Sequence, residues 1–210
     1  MFDFYKTVAE TGSAEIVEKR SRFLGYCCPV STEEEAEAIL AEKRKAERDA
    51  SHRVFAYVLR SGQARCSDDG EPAGTAGAPV LHVLEQEGIQ DCLIAVTRWF
   101  GGTLLGTGGL TRAYSRAAKE ALLAAKPVEM KRCLDAELRC GYTAYGWALP
   151  QITSGGGTVE DTNFTEEVII KFYIPENQFN ELQNNITEKS AGKLACVKIN
   201  QCWEKTKIKT

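Results

Sequence analysis

Three stretches rich in apolar residues in the first half of the chain each predict a strand. From Arg22 to Val30, Phe23, Gly25 and Cys27 alternate with Leu24, Tyr26 and Cys28, and Pro29 ends the run. Val54–Leu59 is a second strand, entered through His52-Arg53, and Cys92–Thr97 is a third. The last is almost continuously apolar, the pattern of a strand buried on both faces. Between the first two, Ser31 or Thr32 caps a helix, with Glu34 and Glu35 as capping-box partners. Glu33, Glu34 and Glu35 open this helix while Lys43, Arg44, Lys45 and Arg48 lie toward its far end, complementing the macrodipole. Its apolar stripe (Ala36, Ile39, Leu40, Ala46, Ala50) is thin, as suits a helix that covers a sheet. Pro79 sits in the first turn of a short helix through Leu81 and Leu84 that Gly88 ends. His82, beside Leu81 and Val83, reads as partly buried and inert. Leu110–Ala125 predicts a helix with Leu110, Tyr114, Ala117, Ala121, Leu122 and Ala125 on one face. Lys126-Pro127 ends it and is the candidate linker.

Beyond the linker, the pattern predicts a strand (Leu134–Cys140), a helix (Ala144–Thr153) and a turn at Ser154–Gly157. Two strands follow around Asp161-Thr162-Asn163, then a helix (Glu176–Ser190) and a last strand (Ala195–Trp203). That order, βαββαβ, is ferredoxin-like. The fold class is therefore α+β in two domains, 1–127 and 128–210.

A length of 210 residues suits two domains, and 43% hydrophobic with 26% charged residues is ordinary for a globular chain. The net charge of −3 speaks against a strongly basic nucleic-acid clamp, so any RNA contact must come from a local patch. No run reaches the roughly 18 apolar residues of a membrane span, and Met1–Lys6 lacks the pattern of a secretory signal. The expectation is a cytoplasmic protein with no membrane partner. Eight cysteines include no Cys-x-x-Cys pair, and the two histidines lie far from forming a cluster with them. Reduced structural thiols are expected, with no metal and no cofactor.

The chemistry concentrates in two Gly-rich loops, Cys66–Pro79 and Arg98–Arg112. The second follows the buried strand and leads into a helix. The amides around Gly101, Gly102, Gly106, Gly108 and Gly109 can therefore form an anion site flanked by Arg98 and Arg112. The glycines are neither a Walker loop nor a dinucleotide fingerprint. Their alternative role is to permit a tight crossover beneath Trp99 and Phe100, of which one ring should be core. Asp68, Asp69 and Glu71 suit magnesium or acid–base work. They equally suit a sharp turn held by Arg53 or Arg98. Lys19, Arg20 and Arg22 form a basic patch that contacts phosphate or is simply a solvated rim. No nucleophile–base arrangement can be read from the order of residues, and no residue is assigned a catalytic role.

The series Ser67-Asp68-Asp69-Gly70-Glu71-Pro72, Gly74-Thr75-Ala76-Gly77, Arg98-Trp99-Phe100-Gly101-Gly102, Leu105-Gly106 and Gly108-Gly109-Leu110 resembles the YigZ/IMPACT family. Lys19–Phe23 and His52-Arg53 sit where that family's motifs place them. The resemblance spans roughly the first 125 residues. It implies an N-terminal left-handed βαβ domain like that of a small-subunit ribosomal protein and the fourth domain of elongation factor G. It also implies a ferredoxin-like C-terminal domain. Eukaryotic members act in translational control, so a non-enzymatic binding protein is expected. Its partner would be RNA, the ribosome or a translation factor, with phosphate contacts from Lys19, Arg20, Arg22, Arg53, Arg98 and Arg112. The alternatives are a small-molecule enzyme or phosphate-ligand binder built on the two loops, and a protein–protein adaptor.

Overall fold

The computed structural model describes residues 4–206. Residues 5–129 group as one compact unit and residues 130–205 as the other. The architecture is α+β, with one antiparallel sheet in each unit.

The first unit is built on the sheet β2-β3-β6-β4-β5. Its strands are β2 (Gly12–Glu18), β3 (Ser21–Pro29), β4 (His52–Val58), β5 (Ala64–Ser67) and β6 (Cys92–Trp99). Because β3 and β4 both run antiparallel to β6, they are parallel to each other, and α1 (Glu33–Ala46) crosses between them. Thr32 caps α1 by accepting the Glu35 amide at 3.2 Å, while the Glu35 carboxylate takes the Ser31 amide rather than that of the cap itself. The alternation of β4 and β6 divides their side chains between two cores. Val54, Ala56, Ile94 and Val96 pack with α2 (Gly77–Glu87) and α3 (Thr107–Ala124). Phe55, Tyr57, Leu93 and Ala95 pack with Ala36 and Leu40 of α1. Burial on both faces of Cys92–Thr97 is thus realised. At Gly25 a Cβ would lie 2.4 Å from the Ala117 carbonyl oxygen, so the Ala-rich face of α3 reaches the sheet only because that position is glycine.

Several expectations need correction. Two strands, β1 (Phe4–Val8) and β2, precede the expected first one, and β5 forms a hairpin with β4. Helix α3 begins at Thr107, so Gly108 and Gly109 are helical rather than loop residues. His82 is exposed, because Val80, Val83 and Leu84 take the core face of α2 and leave position 82 outside. Gly88 does end α2, in the left-handed conformation at φ 67°. Past α3 the chain turns at Lys126 (φ 56°) and enters β7 (Pro127–Cys140), a strand that starts seven residues before the expected Leu134.

The second unit runs β7, α4 (Tyr142–Ser154), β8 (Thr158–Phe164), β9 (Val168–Pro175), α5 (Glu176–Lys189) and β10 (Cys196–Thr206). This βαββαβ order is ferredoxin-like. Its strands lie β10-β7-β9-β8. Leu138, Ile152, Ile170, Phe172, Leu182 and Ile186 form its core. The hairpin turn falls after Phe164, not at Asp161-Thr162-Asn163. Those residues sit within β8, where Asp161 accepts the Thr162 amide and the Asn163 side-chain amide. No helix among the described residues is long and apolar enough to cross a membrane.

Candidate functional site

Each carboxylate of the first Gly-rich loop has a distinct partner set. Asp68 accepts the amides of Gly74 (2.8 Å), Ala76 (3.0 Å) and Gly77 (2.7 Å), and so closes the N-terminus of α2, whose cap residue Ala76 offers no side-chain bond. Burial pushes its pKa upward, but the three amides outweigh this and hold the carboxyl below its usual range. Asp69, at φ 43°, accepts the Arg53 amide at 2.6 Å, and its carbonyl oxygen lies 2.9 Å from His52 Nδ1. Glu71 is buried and pairs with Arg98, Nη1 to Oε1 at 2.6 Å. The same oxygen accepts the Tyr114 hydroxyl at 2.7 Å. Burial, then the bond to Glu71 and its charge, push the Tyr114 pKa far upward, so this hydroxyl stays a donor. Arg98 Nη2 also donates to Ser21 at 3.3 Å, while its Nε–H is buried without an acceptor among the described residues. Among the described residues, no group of three or more His, Cys, Asp or Glu side chains is arranged to hold a metal ion.

The six cations named from sequence fall into two sets. Arg98 is 4% exposed and serves Glu71. Arg53 directs its guanidinium to the Glu47 carbonyl, with Nε at 3.0 Å, and caps the C-terminus of α1. Arg22 lies on the Trp99 ring at 3.8 Å and beside Glu15 at 3.9 Å. Lys19, Arg20 and Arg112, by contrast, are exposed and make no ion pair among the described residues. Lys19 and Arg20, at φ 45° and 70°, are the two central residues of the tight β2–β3 turn. Lys19 and Arg112 line one hollow of about 260 Å³ together with Arg116, Glu18, Ile16, Leu105, Gly109 and Ala113. Arg116 was not singled out from sequence, although it lies four residues after Arg112 and so on the same helical face.

The glycines of the second loop also divide. A Cβ at Gly101 would lie 2.1 Å from the Arg20 backbone, so this glycine serves the crossover beneath the β2–β3 turn. Its amide donates to Ser21 Oγ at 3.1 Å. Gly102 and Gly106 have φ of 81° and 72°, and Gly106 is the N-cap of α3 with no side-chain bond to the first turn. The expectation of one core aromatic is not met: Trp99 is half-buried under Arg22, and Phe100 is 48% exposed.

Phe100 instead helps to form a second cleft, of about 480 Å³. Pro72, Phe100, Leu104, Leu105 and Leu110 give it apolar walls, and His52, Glu71, Arg98 and Thr107 are its polar members. His52 Nε2 lies 3.9 Å from Glu71 Oε2. Cys66 provides no activated thiol, because burial, then Asp68 and Glu85, push its pKa up.

Residues 19–122 match the Impact N-terminal domain, and residues 138–193 match a domain of unknown function, DUF1949. The chain is 35% identical to IMPACT family member YvyE of Bacillus subtilis over 195 residues, covering 92% of this chain and 90% of that protein. It is 30% identical to IMPACT family member YigZ of Escherichia coli, covering 87% and 92%. Protein IMPACT of Bos taurus is 34% identical over 98 residues, which are 43% of this chain and 30% of that protein. A crystal structure of a hypothetical protein superposes with a TM-score of 0.61 at 27% identity, covering 95% of this chain and 99% of that one. The chain belongs to the YigZ/IMPACT family.

Proposed function

We propose that this chain is a non-enzymatic, translation-associated binding protein of the cytoplasm, contacting RNA phosphates through Lys19, Arg20, Arg112 and Arg116. The observation that carries this reading is the set of cations without ion pairs among the described residues on the β2–β3 turn and α3, two of them converging with Lys19 on one hollow. Unpaired guanidinium groups suit phosphate oxygens, which accept in the planar geometry a guanidinium offers. Such contacts work on a chain of net charge −3 because the attraction is local, within about 10 Å at 0.1 M salt. Glu18 lines the same hollow and reduces the local positive charge by one. The relation to protein IMPACT supports the translational setting at the level of family. Arg53 and Arg98 leave the proposed contact set, because their guanidinium groups serve Glu47 and Glu71.

Sucrose-gradient sedimentation of the tagged chain in native lysate tests the reading. Migration with ribosomal particles is expected at low salt, weakening at moderate salt and shifting after RNase. Recovery only at the top of the gradient in every condition would refute it.

A further inference from the structure

The cleft beside α3 uses none of the cations proposed for RNA, and its polar floor has an unanswered pattern. Glu71 Oε1 is occupied by Arg98 and Tyr114, whereas Oε2 accepts no hydrogen bond among the described residues. His52 Nδ1 lies 2.9 Å from the Asp69 carbonyl oxygen, which can only accept, so the ring proton sits on Nδ1. Nε2 of the neutral ring is then an acceptor too, 3.9 Å from Glu71 Oε2. Two acceptors face each other at a spacing that a single NH2 group can bridge, one N–H to each.

We infer that this cleft is a small-molecule site for a neutral primary carboxamide carrying an aromatic or aliphatic body. The amide NH2 bridges His52 Nε2 and Glu71 Oε2, and the body packs against Pro72, Phe100 and Leu104. Charge decides the choice of amide. Arg98 already neutralises Glu71, so an ammonium would enter without a counter-charge, and a carboxylate would meet the two acceptors. This inference does not rest on the RNA reading.

The experiment is an amide-resolved NMR titration of the full chain with three matched probes, 3-phenylpropanamide, 3-phenylpropanoate and 3-phenylpropylamine. Saturable shifts confined to Phe100, Leu104, Gly106 and Thr107 are expected with the amide, and binding at least tenfold weaker with the two charged probes. Leu104 is 83% exposed, so Leu104→Ser keeps the fold and should weaken the amide several-fold. His52→Ala should erase the preference for amide over the charged probes. Absence of saturable shifts, equal affinity for all three probes, or shifts centred elsewhere would each overturn the assignment. Unchanged affinity in Leu104→Ser would do the same.

Discussion

Arg98 and Arg112 bound the same Gly-rich stretch, and by residue type they are equivalent, yet the fold gives them opposite roles. Arg98 ends a strand buried on both faces, so its charge is inside and must be answered there; Glu71 and Tyr114 provide the answer. Arg112 lies on the outer face of α3, where water solvates it and no ion pair among the described residues claims it. The first arginine is structural and the second is available. What separates them is the direction the backbone gives each side chain, and pairing across 27 residues that no local pattern announces.

The largest effect expected from breaking this contrast is at the buried pair. Arg98→Met leaves Glu71 buried and uncompensated, and should cost about 3–5 kcal/mol in urea unfolding. Replacing Arg98 and Glu71 together by apolar residues should recover most of that loss; a double variant as unstable as the single one would show that the pair is not the source. Gly101→Ala comes next. Its Cβ would collide with the Arg20 backbone, and a loss of about 1–3 kcal/mol is expected from overpacking of this kind. Gly108→Ala in the same loop motif should go the other way. Nothing lies closer than 3.8 Å to the added carbon, and a helical alanine should stabilise by up to about 1 kcal/mol. Equal losses at the two glycines would contradict the division of the loop into crossover and helix.

Asp68 sharpens the comparison through pH. Its pKa in the folded chain is lowered from 3.8, so at intermediate pH the unfolded chain binds more protons than the folded one. Its contribution is therefore complete above the unfolded value and is lost as pH falls through the lowered folded value. Thermal unfolding followed from pH 6 down to pH 2.5 should show a shallower acid loss in Asp68→Asn than in the parent chain. Identical slopes would mean that the three amides do not hold the charged form.

Much of the framework was readable from the chain. β3, β4 and β6 announced themselves by alternation or by continuous burial, and α1 and α2 by their caps. β1 and β5 escaped because they are short, and β2 because it is an edge strand whose side chains alternate only weakly between Ile16 and exposed neighbours such as Val17. The site was readable in part. The glycines and cations were found, but their grouping was not, since Gly101 is explained by the backbone of residue 20 and Arg98 by a carboxylate in another loop. By sequence pattern Tyr114 is one more apolar position on a helical face. Its signal was available, because a tyrosine on a buried Ala-rich face needs a partner for its hydroxyl.

The most direct test of the division between structural and available arginines is the salt dependence of binding to a fluorescein-labelled single-stranded RNA, by anisotropy from 50 to 200 mM salt. Each lost phosphate contact should lower the slope of log K against log salt by about 0.7. The triple variant Lys19→Ala, Arg112→Ala, Arg116→Ala is expected to unfold within about 0.5 kcal/mol of the parent while losing up to three such contacts. An unchanged affinity and slope in a folded triple variant would contradict the assignment of this surface.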